Sequence, residues 1–204
     1  MRTLNNFVVF EGGDGSGTST QMEKLKSLPF PSLYTTFEPT NGPIGRLIRS
    51  GLRGEISLQK ETIAYLFAAD RNEHVFGPGG IEERTSRGDL VVCDRYVLSS
   101  LVYQGITCGE ELPLKLNSIF PRPELLLFFD LDPEIAQKRM EMRRQKEIYE
   151  SLEFQLLVWK RYRALLPQLE EEGCRIEIIN ASQPPEEVAR DVWGALQNLP
   201  IFKA

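Results

Sequence analysis

The stretch FVVFEGGDGSGTSTQ, residues 7–21, constrains the fold of this chain more than any other. Its apolar start, 7–10, is typical of a buried strand; glycines follow at 12, 13, 15 and 17, and a helical pattern begins at Thr18. Glycine lets consecutive backbone N–H groups point into one concavity, and the new helix adds its unpaired amides. The sequence therefore predicts a nucleotide phosphate site, the alternative being a glycine-rich turn without a ligand.

One residue of the usual phosphate-loop pattern, G-x-x-x-x-G-K-[ST], is missing here. Thr18 stands where the pattern has lysine, whereas Ser19 retains the hydroxyl that binds Mg²⁺. The lysine normally brings a positive charge to the transferring phosphoryl group. The chain is therefore either an enzyme that obtains this charge from other residues or a nucleotide-binding protein that has lost catalysis.

Segments of strand and helix pattern alternate along the rest of the chain. Further strands are indicated by apolar runs at 33–37, 90–93, 125–131 and 175–180. This alternation predicts a three-layer α/β fold in one domain, 1–204, with a parallel sheet of about five strands flanked by helices. Ligands of such sheets bind beyond the carboxyl ends of the strands. Acidic residues follow four of the runs at this edge: Glu11, Glu38, Asp94 and Asp130.

Composition and charge limit the kinds of function and ligand that are expected for this chain. The net charge of −5 argues against binding of nucleic-acid polymers, which needs a broad basic surface, but not against a single nucleotide held by local arginines. The three cysteines form no C-x-x-C pair, so neither a disulfide framework nor a zinc site is expected. We find no signal peptide and no long apolar span, and we therefore expect a cytoplasmic protein without membrane association.

Two residue pairs outside the loop are candidates for chemistry. Asp94 follows a buried strand, where its carboxylate can hold Mg²⁺ through water or orient a nucleophilic oxygen, and the adjacent Arg95 can bind a phosphate bidentately; the alternative is an ion pair at the strand end. Phe67 and Arg71 lie one helical turn apart and can stack on a base and donate to its edge. Their alternative interpretation is a core phenylalanine beside a solvated charge. The neighbouring Asp70 could fix Arg71 in position, whereas His74, on the same predicted helix, shows no partner and is interpreted as structural.

A basic run that includes Arg139, Arg143, Arg144 and Lys146 precedes Tyr149. Such a run is usually a charged helix surface. In a phosphoryl-transfer enzyme it can instead be a lid, which excludes water and carries cations to the transition state. We therefore predict a short lid over about 141–150.

Six segments together resemble the thymidylate kinase family of P-loop nucleoside-monophosphate kinases, over nearly the whole chain. They are FEGGDGSGTSTQ, EP with the following GPIGRLIR, LFAADRNEHV, CDRYVLSSLVYQG, LLLFFDLDPEIAQKR and NASQPPEEV. The fourth segment is the most specific, whereas the phosphate loop alone indicates only an NTPase or kinase. The resemblance implies a P-loop kinase fold and transfer of the ATP γ-phosphoryl group to dTMP, giving dTDP for dTTP biosynthesis. It further implies Mg²⁺ and a homodimer.

The resemblance also assigns roles to residues. ATP would be bound by Gly12, Gly13, Asp14, Gly15, Ser16, Gly17, Thr18, Ser19, Thr20 and Arg139, with 180–183 near the adenine. The dTMP pocket would contain Asp14, Glu38, Pro39, Arg49, Phe67, Arg71, Arg95, Ser99, Ser100, Tyr103 and Gln104. Within it, Asp14 would bond the 3′-hydroxyl and Tyr103 would disfavour a 2′-hydroxyl. Catalysis would depend on Asp94, Arg95, Arg143 and Arg144, and Mg²⁺ on Ser19 and Asp94.

The chain departs from the family pattern at three positions. Thr18 replaces the loop lysine, Phe37 stands where many relatives have arginine, and Gly15 stands where one subgroup has a loop arginine. The chain should therefore depend on basic residues of the lid, as the other subgroup does. Two alternatives to a dTMP kinase stay open: a P-loop kinase for another nucleoside monophosphate or a deoxynucleoside, and a catalytically impaired nucleotide-binding protein.

Overall fold

A computed structural model describes residues 2–27, 30, 32–141 and 151–203 of the chain. Its sheet has five parallel strands in the order β2-β3-β1-β4-β5. The strands are β1 Thr3–Gly12, β2 Leu33–Phe37, β3 Leu90–Asp94, β4 Arg122–Asp130 and β5 Ile176–Asn180. The predicted α/β class and the number of strands are confirmed.

Helices connect the strands in chain order. They are α1 Thr18–Leu25, α2 Pro43–Leu52, α3 Lys60–Phe76, α4 Ile81–Ser86, α5 Val97–Cys108, α6 Glu111–Asn117, α7 Pro133–Met140, α8 Leu152–Glu171 and α9 Pro185–Leu196, followed by a 3₁₀ turn, Pro200–Phe202. In the part of the chain that is described, no helix combines the length and apolarity that crossing a membrane requires.

Alternate residues of the central strand β1 face two separate layers of helices. Val8 and Phe10 pack with α1 and α9 on one face. Phe7 and Val9 pack with α3 and α4 on the other, where α5 and α8 cover the neighbouring strand β4. The period of two along the strand thus produces the three-layer arrangement.

The observed boundaries of strands and helices differ from the predicted ones mainly where polar residues or a proline interrupt the apolar pattern of the element. Strands β1 and β4 begin earlier than their apolar runs, because Thr3 already pairs with Arg122, before a register shift between Leu4 and Val8. The helical pattern over 114–120 predicts a helix there, but helix α6 already begins at Glu111, since a proline such as Pro113 is tolerated in a first helical turn. The predicted lid lies outside the described residues except for 141.

The carboxyl ends of the strands meet at one edge, as predicted. Two backbone hydrogen bonds join adjacent strand ends there: Arg95 N–H donates to the Phe10 carbonyl (2.8 Å), and Glu38 N–H donates to the Asp94 carbonyl (3.0 Å). Side chains that follow three different strands are thereby held within reach of one another.

Candidate active site

The turn between β1 and α1 has the backbone of a phosphate-binding loop, which we call the phosphate loop, residues 12–20. Gly15 and Gly17 adopt left-handed conformations (φ 82° and 93°), which side chains other than glycine rarely allow. Gly12 is restricted by space, since a Cβ there would lie 2.7 Å from Ser16 Oγ. The conformation of the turn therefore requires glycine at these three positions.

Ser19 and Asp94 meet at the end of this loop. The Ser19 hydroxyl donates to Asp94 Oδ2 (3.0 Å), and Asp94 Oδ1 is buried with no hydrogen-bond partner among the described residues. A buried, unpartnered carboxylate oxygen beside a hydroxyl fits a hydrated Mg²⁺, which prefers oxygen ligands and keeps several waters. Thr18, the residue in place of lysine, is buried in the first turn of α1.

Asp14 of the phosphate loop is bound by three side chains. Its carboxylate accepts hydrogen bonds from Arg95 Nη2 (2.7 Å), the Tyr103 hydroxyl (3.1 Å) and Gln155 Nε2 (2.7 Å). Gln155 Oε1 in turn accepts from the Asp14 backbone N–H (3.2 Å). Sequence reasoning missed Gln155, because a buried glutamine in an amphipathic helix gives no signal of its partner.

Arg95 has an unusual backbone and a fixed guanidinium. Its φ is +68°, which directs the side chain back over the sheet edge, where Nη1 donates to Ser99 Oγ (3.2 Å) and approaches the Tyr103 hydroxyl (3.4 Å). Burial lowers the pKa of Arg95, but Tyr103 and Asp14 raise it above its ordinary value, so the guanidinium stays charged. A non-glycine residue in this conformation is uncommon and is often found at functional sites.

Glu11, at the end of β1, is a fully buried carboxylate that supports the start of α5. It accepts from the backbone N–H groups of Tyr96 (2.9 Å) and Ser99 (3.1 Å), and from the hydroxyls of Ser99 (2.6 Å) and Tyr162 (2.9 Å). Burial raises the pKa of Glu11, although the hydrogen bonds and Arg95 oppose this shift. Glu11 thus caps α5 from another strand and fixes Ser99 beside Arg95.

A cavity of about 290 Å³ opens beside the phosphate loop, and we call it the acceptor cavity. Its lining includes all of the predicted dTMP-pocket residues, Asp14, Glu38, Pro39, Arg49, Phe67, Arg71, Arg95, Ser99, Ser100, Tyr103 and Gln104, together with Phe37, Leu52 and Tyr96. Asp14 belongs to both the phosphate loop and the cavity lining, and Arg95, which also lines the cavity, donates to it, so the two parts of the site are contiguous.

Arg71 is not a solvated charge, because its side chain is only 1% exposed. Its Nε donates to Glu38 Oε2 (2.8 Å), and its terminal nitrogens contact the Tyr96 carbonyl (3.0 Å), Ser100 Oγ (3.1 Å) and Asn117 Oδ1. The sequence suggested Asp70 as the residue that fixes Arg71, and this was wrong. Asp70 accepts instead from the backbone and hydroxyl of Thr40 (both 2.7 Å), since it points toward the loop after β2.

The other residues that line the acceptor cavity differ in their hydrogen bonds and exposure. Arg49 donates to the carbonyls of Pro39 and Thr40 (both 2.6 Å) and so orders the loop after Glu38. Gln104 is buried, and its Oε1 has no partner in the described ranges. Phe37 is 42% exposed at the cavity lip. Phe67 is half-buried, as expected for a ring that offers one face to a ligand.

Helix α7 packs against the phosphate loop through Ala136 and Met140, and Arg139 lies in the last turn of this helix. A Cβ on Gly15 would lie 2.8 Å from the Ala136 carbonyl oxygen, so the loop has no room for the arginine that one subgroup carries there. The predicted catalytic residues Arg143 and Arg144 lie outside the described residues.

Comparison with known proteins decides the family. The family model described as thymidylate kinase matches residues 10–192. The chain belongs to the thymidylate kinase family. It is a nucleotide kinase of nucleotide biosynthesis that phosphorylates dTMP with ATP as donor, as the sequence predicted, and neither alternative function is favoured.

Individual relatives agree with this assignment over their full length. A probable thymidylate kinase of Pyrobaculum aerophilum is 41% identical over 97% of this chain and 99% of its own. One of Methanococcus aeolicus is 39% identical over 98% and 100%. The solved thymidylate kinase of Candida albicans has a TM-score of 0.79 at 25% identity and covers 95% of this chain and 91% of its own. The similarity to the family therefore extends over nearly the whole chain.

Proposed function

We propose that this thymidylate kinase works as one domain, 1–204, in which the phosphate loop holds ATP and the acceptor cavity holds dTMP. This proposal rests on the Asp14–Arg95 ion pair, because Asp14 belongs to the phosphate loop and both residues line the acceptor cavity. A guanidinium fixed at that junction can bind the acceptor phosphate bidentately. Transfer then needs mainly positioning and neutralisation of charge.

The test is transfer of a radiolabelled γ-phosphoryl group from ATP to dTMP by the purified protein. Label in dTDP, formed in equal amount with ADP, supports the proposal. Label released only as inorganic phosphate would mean that the cavity does not hold the acceptor.

In the acceptor cavity, we propose that Phe67 and Arg71 bind the base of dTMP and that Asp14 and Tyr103 contact its sugar. Phe67 stacks on thymine and Arg71 faces its edge, while Tyr103 packs against the deoxyribose. The polar residues Glu38, Ser99, Ser100 and Gln104, with Pro39 and Arg49, complete the pocket. The buried, unpartnered Gln104 Oε1 supports this assignment, because such an atom is expected to find a donor in a ligand or water.

Replacing Phe67 with alanine is expected to weaken dTMP binding by about 1–3 kcal/mol, the value of stacking one base on an aromatic ring. Calorimetric titration of dTMP measures this loss. Phe202→Ala is the matched control, since this ring packs on Phe30 and Trp193 away from the cavity. Equal dTMP affinity in wild type and Phe67→Ala would place the base elsewhere.

We assign Mg²⁺ to Ser19 and Asp94 on the strength of the oxygen pair described above. When bound, the ion would neutralise charge on the ATP phosphates. The two residues would have separate tasks: the Ser19 hydroxyl would be a ligand of the ion, while the Asp94 carboxylate would hold it through water or orient the acceptor. Backbone amides of 12–20 hold the donor phosphates.

For ATP, the phosphoryl donor, we propose that Arg139 and the loop 180–183 lie near the adenine. We also propose that Arg143 and Arg144 belong to a lid over 141–150. The position of α7 against Gly15 supports the first assignment, because the last turn of that helix borders the phosphate loop. The missing lysine at 18 motivates the second, since the transferring group still needs a cation.

We further propose a cytoplasmic homodimer. Cytoplasmic ATP and nucleotide pools suit this reaction. Helices α3 and α6, which pack together, expose Tyr65, Phe76 and Leu114, and Ile119 beyond α6 is 66% exposed. Exposed apolar residues on adjoining helices fit a self-complementary interface. Sedimentation velocity of the wild-type protein distinguishes a dimer from a monomer.

A further inference from the structure

His74 lies on α3, one turn after Arg71, with both ring nitrogens engaged. Nδ1 is 3.0 Å from Glu38 Oε1, and Nε2 is 2.6 Å from the Thr36 hydroxyl of β2. An ionised carboxylate can only accept, so the proton in the Glu38 contact lies on Nδ1, whereas the Thr36 hydroxyl can donate to Nε2. The Glu38 carboxylate therefore fixes the tautomer in which His74 supports it.

Glu38 is buried, and its two carboxylate oxygens have different partners. Oε2 accepts from Arg71, with Nε at 2.8 Å and Nη2 at 2.7 Å, whereas Oε1 contacts only His74 among the described hydrogen bonds. The terminal torsion of a glutamate side chain is soft. The contact with His74 is consequently what sets the rotation of the carboxylate, and with it the direction in which Arg71 is held.

The rings of Tyr96 and Phe120 lie near the Arg71 guanidinium, with centroids at 5.1 and 5.6 Å. A ring offers no hydrogen-bond acceptor of fixed direction, so these contacts do not set the directions of the Arg71 N–H groups. Those directions depend on the hydrogen bonds, of which the one to Glu38 is the charged and therefore the strongest. His74 controls that bond without lining the acceptor cavity itself.

We propose that His74 is a positioning residue that, through Glu38, aligns Arg71 with the acceptor base and so helps to set base discrimination. This inference rests on the proposed role of Arg71 at the base edge. Sequence reasoning treated His74 as structural and found no partner for it.

A metal site is a weaker explanation of the same cluster. Donor atoms of Glu38, His74 and Cys93 lie within 4.8 Å of one another. Each already has a hydrogen-bond partner, however: Arg71 neutralises Glu38, Thr36 contacts His74, and the Cys93 thiol donates to the Arg95 carbonyl (3.1 Å). Burial raises the pKa of Cys93 far above its usual value, which disfavours the thiolate that a metal needs.

The experiment compares His74→Asn with His74→Gln and His74→Leu in steady-state kinetics with dTMP and dCMP. Asparagine can place an N–H near the position of Nδ1, whereas glutamine reaches toward Thr36 and leucine supports neither contact. We expect His74→Leu and His74→Gln to raise KM for dTMP roughly tenfold, as for one lost hydrogen bond to a charged group, with kcat nearly unchanged. Discrimination against dCMP should fall in parallel, and His74→Asn should retain most of both properties.

Arg71→Lys is the reference variant, and thermal unfolding of each protein shows that it is folded. If Arg71→Lys loses discrimination while all three His74 variants keep wild-type KM and discrimination, the positioning role is wrong and the proposed pocket stands. If Arg71→Lys also behaves as wild type, both the pocket assignment and the positioning role are wrong. Equal losses in Asn, Gln and Leu would contradict the role of the Nδ1 contact.

Discussion

Replacing Asp94 with asparagine is expected to lower kcat on the order of 100-fold or more while ATP and dTMP affinities change little. One carboxylate oxygen accepts from Ser19, and the other is buried without a partner in the described part of the chain. Asparagine keeps the size and one acceptor but removes the negative charge. In the proposed site the nucleotides are bound mainly by the phosphate loop and the acceptor cavity, so the loss should fall on the rate of transfer.

Stopped-assay kinetics and calorimetric binding of each nucleotide separate these two effects. Asp130→Asn is the matched control, because Asp130 ends the neighbouring strand β4 but bonds Trp159 (3.0 Å) and Arg163 (3.2 Å). An Asp94→Asn enzyme with near-normal turnover would remove Asp94 from both the metal site and the orientation of the acceptor.

The double variant Arg143→Ala and Arg144→Ala is expected to lose kcat on the order of 1,000-fold with nearly unchanged apparent ATP affinity, as for arginines that act in the transition state. The hydroxyl of Thr18 cannot replace an ammonium group. Arginine is suited to supply the missing charge, since its planar fork binds two phosphate oxygens and remains charged. The ground-state phosphates would still be held by backbone amides.

Adding Thr18→Lys to the double variant should restore part of kcat, because it returns a cation to the phosphate loop. Lys138→Ala, an exposed residue of α7, controls for loss of positive charge near the site. Full activity of the double variant would show that a different residue supplies the charge.

The fold could be predicted because its signals are local and repeated. Apolar runs separated by helical spacing define a parallel sheet, and the phosphate loop marks the edge at which ligands bind. The starts of β1 and β4 could not be predicted, since polar residues such as Asn5 and Asn6 occupy a paired strand whose register shifts. Long-range pairing, not local preference, determines those ends.

The cavity lining could be predicted where the family resemblance extends, whereas the residues that support it could not. Gln155 and Asn117 contact Asp14 and Arg71 across 141 and 46 residues of chain, and nothing in their local pattern indicates such partners. A histidine can bind a ligand, but the side chain of His74 is buried and contacts Thr36 and Glu38 instead. The assignment of Asp70 to Arg71 failed for the same reason: adjacency in sequence on a helix places two side chains on different faces.

Measurement of ADP release by the wild-type protein with dTMP, dUMP, dCMP, AMP and thymidine gives the specificity constant for each acceptor and tests whether the acceptor cavity is specific for dTMP. The stacking proposed for Phe67, the base-edge contact proposed for Arg71 and the packing proposed for Tyr103 predict the highest kcat/KM for dTMP and little turnover of AMP. The phosphate contact proposed for Arg95 predicts that thymidine is a poor acceptor. A higher kcat/KM for thymidine or dCMP than for dTMP would contradict the assignment of the acceptor cavity.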